Sequence, residues 1–470
     1  MTNKKDSRNF FRQFYLKELS EQYVKHYTVS GTDKMNYSSF KKRESQIIKK
    51  ISDDVLYGSY SFNKYKEKLV IKDRFSVPRC ISIPTISDRL VLKALSFLIE
   101  DSFSTIPKPK IPHEQIKKIN KIARNNNYDS YLKIDIKNFF GCINHEKLFS
   151  IINTKIKSKK ILKLLWCAIK NPTGLEQNNS EGLPQGISIS NFLAHIYLSK
   201  LDEKFETIEN LEYIRYVDDI LIFCYADRLE ETMEQIKEDL SLLDLEINYK
   251  KKKDGRIVDL SRNETLDFLG YSFFYEENQG FITSINKKSV LSFEQKIVTI
   301  INKINKNPST KQIKRSLYEL NRVITGSITR KFDFGAIRIQ RFGWLLFFSQ
   351  MNDKYLLFRL DNLVRKKIDY LKKRNPNIEK LIYNNFEYKV KKFVTTYYEI
   401  KYNFKNTNYL FEPDAFSIID KRVFLEETFG FSNSNLREMS DKEIEKHFNR
   451  NVYKKIYTDY KDILEIMSGY

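Results

Sequence analysis

Two adjacent aspartates, Asp218 and Asp219, lie in an otherwise apolar stretch that runs from Tyr213 to Phe223. A carboxylate removed from water either takes up a proton or recruits a cation, so the pair requires a positive partner. The flanking residues are β-branched and aromatic, which predicts two short strands joined by a tight turn at the acidic pair. Such a hairpin tip is suited to holding a divalent metal ion through oxygen ligands. A surface hairpin with an Asp-rich turn is the alternative interpretation.

A third carboxylate, Asp135, lies upstream on another predicted strand. Between Tyr131 and Lys137, apolar and polar side chains alternate, and Asp135 falls on the polar face. If this strand lies beside the acidic hairpin, Asp135, Asp218 and Asp219 form one cluster. Two Mg²⁺ ions held by such carboxylates can bind both the attacking and the leaving oxygen of an in-line phosphoryl displacement. The three acids therefore indicate metal-assisted phosphoryl transfer.

These acidic segments belong to a longer series that resembles the motifs of reverse transcriptases, in the order of that family. The matching region runs from about residue 55 to about residue 275, and its first segment resembles the fingers of group II intron, retron and phage-defence enzymes. A weaker resemblance to the thumb of the intron and defence enzymes follows at Leu320-Asn-Arg322 with Gly326 and at Leu360-Asp361. The main segments are Arg79-Cys-Ile-Ser-Ile-Pro-Thr-Ile-Ser-Asp-Arg89, the strand with Asp135, Leu183-Pro-Gln-Gly-Ile-Ser-Ile-Ser190, Tyr216-Val-Asp-Asp219 and Phe268-Leu-Gly-Tyr-Ser-Phe273.

The resemblance implies a role for each matching residue of the acidic site. Asp135, Asp218 and Asp219 match the catalytic and metal-binding acids of the family, and the backbone carbonyl of Ile136 matches a further metal ligand. The implied cofactor is a pair of Mg²⁺ ions, with Mn²⁺ as a substitute. Tyr216, the first residue of the hairpin motif, is assigned to the nucleotide site.

The resemblance also places further residues at the nucleotide. Phe140 matches the steric gate beneath the sugar, which implies deoxynucleotides over ribonucleotides; a plain core aromatic is the alternative. Gln185 and Gly186 match the loop that packs against the nucleotide and the template base. The residues after this loop, Ser188 to Leu201, have apolar side chains at helical spacing and predict a helix beneath the site.

Three basic residues are candidates for contacts with phosphate. Lys72 and Arg79 lie in a predicted fingers hairpin, where they are assigned to the triphosphate, with Arg79 in the fuller motif. Solvated surface residues are the alternative for both. Lys251 best fits the spacing of a lysine near the leaving pyrophosphate, where it would act as general acid or electrostatic stabiliser. It lies in a run of four lysines, so a solvated charge run is equally compatible.

Composition agrees with a nucleic-acid partner. The 470 residues include 82 Lys and Arg against 60 Asp and Glu, a net charge of +22, and such an excess attracts polyphosphate chains. The four cysteines lack metal-ligand spacing, so neither a zinc module nor a disulfide framework is expected. No signal peptide, membrane span or appended nuclease motif is recognised, and we expect a cytoplasmic protein.

The predicted fold is α+β, a right-hand polymerase with fingers, a palm built on an antiparallel sheet with the acidic hairpin, a helical thumb and a helical C-terminal extension. The predicted boundaries are 1–130 for N-terminal helices and fingers, 131–284 for the palm with fingers insertions, 285–375 for the thumb and 376–470 for the extension. The apolar run from Phe342 to Phe348 is interpreted as a buried thumb helix, with a partner-binding face as the alternative.

Aromatic residues and lysines interleave between Tyr388 and Tyr402. The pattern suits single-strand binding, in which bases stack on rings and lysines follow phosphates. It also suits an amphipathic helix whose rings enter the core while its lysines extend to the surface, and this second interpretation is favoured.

The functional hypothesis is an RNA-directed DNA polymerase that uses dNTPs, copies an RNA template and makes DNA. The resemblance implies a bacterial enzyme of the abortive-infection or defence-associated (unknown-group) type, with a dedicated non-coding RNA and a homo-oligomer or partner polymerase. The alternatives are a retron reverse transcriptase that makes branched RNA–DNA, an endonuclease-free group II intron maturase, and a non-catalytic RNA-binding scaffold.

Overall fold

The computed structural model describes residues 7–23, 29–71, 78–125, 128–174, 181–306, 309–333, 336–374, 379–385 and 389–458. The chain divides into two compact units. The first consists of residues 1–115 and 126–257, and the second of residues 116–125 and 258–470. The division into fingers, palm, thumb and extension remains a prediction.

The first unit surrounds an antiparallel sheet with helices. Its four-stranded sheet has the strand order β4-β5-β3-β6, and a separate hairpin pairs β1 with β2. The strands are β1 (Lys66–Val70), β2 (Arg79–Ile83), β3 (Ser130–Asp135), β4 (Glu212–Tyr216), β5 (Asp219–Cys224) and β6 (Lys253–Arg256). The α-helices are α1 (Gln13–Tyr23), α2 (Tyr37–Lys42), α3 (Glu44–Tyr57), α4 (Ile86–Ser102), α5 (Pro112–Arg124, whose last nine residues belong to the second unit), α6 (His145–Lys155), α7 (Lys159–Lys170), α8 (Ser190–Tyr197), α9 (Ser199–Glu206) and α10 (Leu229–Leu242).

The sheet is held by apolar side chains that the strand periodicity places on its faces. Ile134 on β3 and Ile220 and Ile222 on β5 are fully buried in the core of this unit. Leu132 and Ile136 are buried as well, so the alternation in this segment does mark a core-facing strand. The strand prediction around Asp135 is confirmed.

The prediction of one continuous helix from Ser188 to Leu201 is wrong. The structure has two helices, α8 and α9, separated at Leu198, whose backbone leaves the helical region at φ −94° and ψ 1°. The apolar spacing persists across the break, because both helices bury one face in the same core. Periodicity alone therefore did not reveal the break.

The second unit contains a three-stranded sheet, a separate two-stranded hairpin and helices. Strands β7 (Leu266–Phe268), β8 (Tyr271–Glu276) and β9 (Gly280–Ile285) form an antiparallel meander. Strands β10 (Ser327–Asp333) and β11 (Ala336–Phe342) pair separately. The α-helices are α11 (Lys287–Lys306), α12 (Thr310–Thr325), α13 (Trp344–Phe347), α14 (Lys354–Arg374), α15 (Glu379–Asn385), α16 (Phe393–Tyr402), α17 (Ile418–Phe429), α18 (Asn433–Glu438) and α19 (Asp441–Asn451).

Two details of the predicted thumb need correction. The β10–β11 hairpin lies in a region predicted to be helical; β-branched and aromatic residues recur in both strands and favour extended backbone. The apolar run that begins at Phe342 is a strand end followed by a helix of only four residues. Its burial was predicted correctly, because Trp344 is 3% exposed and stacks on Phe293 with ring centroids 4.0 Å apart.

Within the described ranges, no helix combines the length and the apolar character that a membrane crossing requires.

Candidate active site

The acidic pair lies at a tight hairpin turn, as its flanks predicted. Strand β4 ends at Tyr216 and β5 begins at Asp219, and these two residues are paired across the turn. Val217 has a left-handed backbone with φ 58°. This conformation is strained for a β-branched residue, so the surrounding structure must hold the turn in place.

Strand β3 brings Asp135 beside the hairpin. Asp135 pairs directly with Asp219 in the β3–β5 register. The next residue, Ile136, donates its backbone N–H to the carbonyl oxygen of Asp218 at 3.1 Å. Asp135 is 7% exposed and Asp219 is 2% exposed. The three acids therefore meet at one end of two neighbouring strands.

Burial disfavours the ionised forms of the carboxyl groups at this end of the sheet, and nearby positive charge opposes this effect. Burial raises the pKa of the Asp218 carboxyl, and the negative charge of Asp135 raises it further. Burial likewise raises the pKa of Asp219 to about 6, and the charges of Asp218 and Asp135 act in the same direction. Lys251 and Arg79 oppose the shift at Asp218. Arg79 thus lies close enough to the acids to act on them.

The carboxylate of Asp135 is held by two side chains that follow helix α10. The Lys251 Nζ lies 2.6 Å from its Oδ1, and the Asn248 Nδ2 donates to its Oδ2 at 3.0 Å. The backbone N–H of Asn248 also donates to the carbonyl oxygen of Asp135 at 2.8 Å. The structure thus brings Lys251 to the acidic site, and it adds Asn248, which the sequence interpretation did not assign.

The carboxylate oxygens of the three acids are suitable ligands for a hard divalent cation. Mg²⁺ prefers such oxygen ligands, and because burial raises the pKa of Asp219 to about 6, a bound cation would favour its ionised form. In the described residues, no three His, Cys, Asp or Glu side chains are arranged closely enough to hold an ion together. The carboxylate of Asp135 is engaged by Lys251 instead. The assignment of Asp135, Asp218, Asp219 and the carbonyl of Ile136 as ligands remains a proposal.

The predicted nucleotide loop lies against strand β2 and the segment after β3. The backbone N–H of Ser82 on β2 donates to the carbonyl oxygen of Gln185 at 2.7 Å, and the backbone N–H of Leu183 donates to that of Phe140 at 2.7 Å. Phe140 is half-buried, with its ring 5.5 Å from that of Phe139. Gln185 is half-buried too. These contacts connect the loop to β2 and to the residues that follow Asp135.

Gly186 occupies a position that a side chain does not fit. Its φ is +100°, and a Cβ there would lie 2.7 Å from Ile81 Cγ2 and 2.9 Å from the Ser82 carbonyl oxygen. We expect Gly186→Ala to lower the free energy of unfolding by about 3 kcal/mol, because β2 must shift to admit the methyl group. Urea denaturation measures this.

Gly58→Ala is the matched control for that substitution. Gly58 belongs to the same unit and has φ +83°, but its nearest neighbour is the flexible side chain of Lys160, at 3.3 Å. It should lose about 1 kcal/mol from backbone strain alone. If both variants lost the same free energy of unfolding, β2 would be able to shift and admit the methyl group without a measurable loss of stability.

The remaining predicted residues have different outcomes. Tyr216 lies directly before the turn, and burial raises the pKa of its hydroxyl. Arg79 begins β2, where it pairs with Val70. Lys72 lies outside the described residues. The nucleotide-binding roles of these residues remain predictions.

A cavity of 480 Å³ opens beside the acidic site in the first unit. Asn248, which contacts Asp135, is part of its wall. Three lysines, Lys137, Lys237 and Lys250, line it as well. Glu246 also lines the cavity and is paired with Lys137 at 2.8 Å, so the wall carries a net excess of two lysine charges.

A buried arginine, Arg215, supports the strained turn from behind. Its Nη1 donates to the carbonyl oxygen of Val217 at 2.9 Å, and its Nε donates to Asp202 Oδ1 at 2.6 Å. Its Nη2 reaches the other oxygen of Asp202 and lies 2.9 Å from the Nδ1 of His195. Gln115 donates to the backbone carbonyl of Arg215 at 2.9 Å. The turn that carries Asp218 is thus attached to both α8 and α9.

In this network Arg215 is charged and His195 is neutral, and each state is favoured by the neighbouring groups. Although burial opposes the charge of Arg215, its contacts with Asp202 hold the pKa of the guanidinium above the ordinary value. Burial, together with the charge of Arg215, lowers the pKa of His195. A neutral His195 with its proton on Nε2 donates to the Pro107 carbonyl oxygen at 2.8 Å and accepts from Arg215 at Nδ1.

Sequence reasoning did not assign this network, although one signal was present. Arg215 is a single cation in a buried, apolar strand, and such a charge requires a buried partner. The identity of the partner was not readable, because Asp202 and His195 lie on helices whose packing against β4 is a tertiary property.

Comparison with known proteins agrees with the resemblance to reverse transcriptases. Residues 70–273 match the family described as reverse transcriptase (RNA-dependent DNA polymerase). The chain is 28% identical over 169 residues to the group II intron-encoded protein LtrA of Lactococcus lactis subsp. cremoris. This alignment covers 33% of this chain and 28% of LtrA. It is 24% identical over 187 residues to the protein YkfC of Escherichia coli strain K12, which covers 37% of this chain and 49% of YkfC. Residues 70–273 are thus similar to the reverse transcriptase family, and the chain spans less than half of either relative.

Among solved structures, the telomerase of Candida albicans in complex with the TWJ fragment of telomeric RNA is a distant neighbour. It aligns with 91% of this chain and 69% of the telomerase chain, at 12% identity and a TM-score of 0.43. At this level of similarity, no functional property is transferred.

Proposed function

We propose that this chain is an RNA-directed DNA polymerase. The observation that carries the proposal is the meeting of Asp135, Asp218 and Asp219 at the ends of β3 and β5, inside the region that matches the reverse transcriptase family. The excess of lysines in the cavity beside the acids and the net charge of +22 support a polyanionic substrate. The mechanism proposed is nucleotidyl transfer assisted by two divalent ions.

The chain's own residues contribute binding, orientation and charge. When bound by the three carboxylates, divalent ions would stabilise the charge that develops on the attacking and leaving oxygens. Lys251 places an ammonium group 2.6 Å from Asp135, where it is suited to neutralising a departing pyrophosphate. Arg79 and the loop at Gln185 and Gly186 are proposed to position the nucleotide from the side of β2.

Primer extension tests the proposal directly. The purified chain is supplied with a DNA primer annealed to an RNA template, dNTPs and MgCl₂, and the products are separated by length. We expect extension that stops at the template end and that EDTA abolishes. Absence of extension with both Mg²⁺ and Mn²⁺, on RNA and DNA templates alike, would refute it.

Phe140 is proposed to select deoxynucleotides. Its half-buried ring lies five residues after Asp135, where a bulky group beneath the sugar would exclude a 2′-hydroxyl. We expect Phe140→Ala to reduce the preference for dNTPs over rNTPs by about tenfold or more, measured as the ratio of kcat/KM values. Phe192→Ala, at another half-buried aromatic of the same unit, should leave this ratio unchanged. An unchanged ratio in Phe140→Ala would assign the ring to the core.

We further propose a bacterial defence role with a dedicated non-coding RNA, which rests on the sequence resemblance to abortive-infection and defence-associated enzymes. A second candidate is an endonuclease-free intron maturase, which the similarity to an intron-encoded protein favours. Sequencing of RNA that co-purifies with the chain distinguishes them. A discrete non-coding RNA supports the defence role, intron RNA supports the maturase, and a 2′-linked RNA–DNA branch identifies a retron enzyme.

A further inference from the structure

Two helices of the second unit each carry a pair of exposed aromatic side chains. On α14, Tyr355 is 63% and Phe358 is 61% exposed; on α16, Tyr398 is 41% and Tyr402 is 72% exposed. Each pair is spaced by about one helical turn, so its two rings lie on one side of its helix. Exposed rings at this density require an explanation, since each leaves apolar area in contact with water.

The two helices that carry these pairs pack against each other. The carboxylate of Asp361 on α14 accepts the backbone N–H groups of Phe393 and Val394 at the start of α16, at 2.7 and 3.2 Å. Farther along α16, the Tyr397 hydroxyl donates to the Met351 carbonyl oxygen at 3.2 Å. Helix α16 therefore runs back along α14 towards its N-terminus.

Two lysines lie beside the ring pair of α16, and Arg262 lies over the ring of Tyr355 at 5.0 Å. The Lys354 Nζ lies 6.0 Å from the ring centre of Tyr398, and the Lys401 Nζ lies 5.8 Å from that of Tyr402. The carboxylate of Glu399, also on α16, accepts from the Asn403 side chain at 2.8 Å. We call Lys354, Tyr355, Phe358, Tyr398, Lys401 and Tyr402 the aromatic–lysine face.

The core does not account for these rings. Helix α16 is anchored by Phe393 and Tyr397, which are 0% and 4% exposed. Tyr398 and Tyr402 instead stack on one another at the surface, with ring centres 5.8 Å apart and planes 23° apart. Of the four rings of this pattern that the structure describes, two are buried in the core and two are exposed.

We propose that the aromatic–lysine face binds a single-stranded segment of RNA. Unpaired bases stack on exposed rings, and neighbouring ammonium groups follow the phosphates. The positive charge of the face and of the whole chain favours a polyanion over an apolar protein surface. The choice of RNA rests on the proposed function, in which RNA is the template.

The test compares RNA binding by the full-length chain and its variants. A fluorescein-labelled 20-nucleotide oligouridine is titrated in EDTA without dNTPs, so that binding is read independently of catalysis. Tyr398→Ala with Tyr402→Ala should weaken binding about tenfold or more, whereas Tyr→Phe at both positions should bind normally. Lys354→Gln with Lys401→Gln should reduce the slope of log Kd against log salt concentration by about 2, as expected for the loss of two phosphate contacts. Circular dichroism verifies that each variant is folded.

Two comparisons make the test specific. Tyr57→Ala, at a tyrosine of the first unit that is 79% exposed, should bind oligouridine like the unaltered chain. A 20-base-pair RNA duplex should bind the double Ala variant and the unaltered chain equally, because its bases are not free to stack. Unchanged oligouridine binding in the double Ala variant overturns the inference. A changed oligomeric state with unchanged RNA binding also overturns it, and assigns the face to protein contact. If RNA binds as expected but primer extension fails, the proposed function is refuted and this inference is retained.

Discussion

Replacing Asp219 by Asn is expected to reduce DNA synthesis at least about 1000-fold. Ions clamped by carboxylates stabilise transition-state charge by several kcal/mol, and about 4 kcal/mol corresponds to a factor of this size. Asp219 lies directly opposite Asp135 across β3 and β5, so its loss removes one side of the proposed ion site. Steady-state primer extension measures kcat.

The same substitution should make the protein more stable. Burial raises the pKa of Asp219 to about 6, so its ionised form is disfavoured in the folded state at pH 7. The difference from the ordinary value corresponds to up to about 3 kcal/mol. The gain from Asn is therefore present above pH 6 and disappears as the pH falls from 6 towards 3.8. Urea denaturation in EDTA, at pH 4 and pH 8, measures it.

These two results together separate an active site from a structural acid. Asp227→Asn is the matched control, because Asp227 is an exposed aspartate eight residues after Asp219 in the same unit. It should change neither activity nor stability appreciably. If Asp219→Asn retained full activity, the acids would not be catalytic and the non-catalytic scaffold would be favoured. A loss of both activity and stability would instead show that the carboxylate supports the fold.

Replacing Arg215 by Lys is expected to lower kcat about 100-fold while KM changes little. A lysine keeps the charge but lacks the planar fork that contacts Val217, Asp202 and His195 together. Without these contacts the strained turn relaxes and Asp218 shifts, and a displacement of about 1 Å can cost about 100-fold in rate. Arg215 is thus a positioning residue, which acts through the turn rather than on the substrate.

Stability and control variants complete this second prediction. Loss of the buried geometry with Asp202 should lower the free energy of unfolding by about 3 kcal/mol, so kinetics are measured well below the melting temperature. Arg228→Lys is the control, since Arg228 contacts the Glu209 carbonyl oxygen at the surface of the same unit. An Arg215→Lys variant that raises KM with kcat unchanged would contradict positioning of the turn and indicate a role in substrate binding.

Local patterns in the sequence determined the parts of the site that neighbouring residues specify. The alternation around Asp135 marked a strand, and the β-branched flanks of Asp218 and Asp219 marked a hairpin. Both depend on backbone preferences and burial within a few residues, so they were readable without the fold. The ordered motifs then made the pairing of the two segments predictable.

Tertiary structure alone decided which distant groups contact the charged side chains. Asn248 reaches Asp135 across 113 residues, and the partners of Arg215 come from helices α8 and α9. It also decided that Tyr398 and Tyr402 stay at the surface while Tyr397 is buried, although all three lie in one interleaved pattern. The physical reason is that burial and pairing depend on which elements pack together, and long-range packing is not encoded in the periodicity of any one segment.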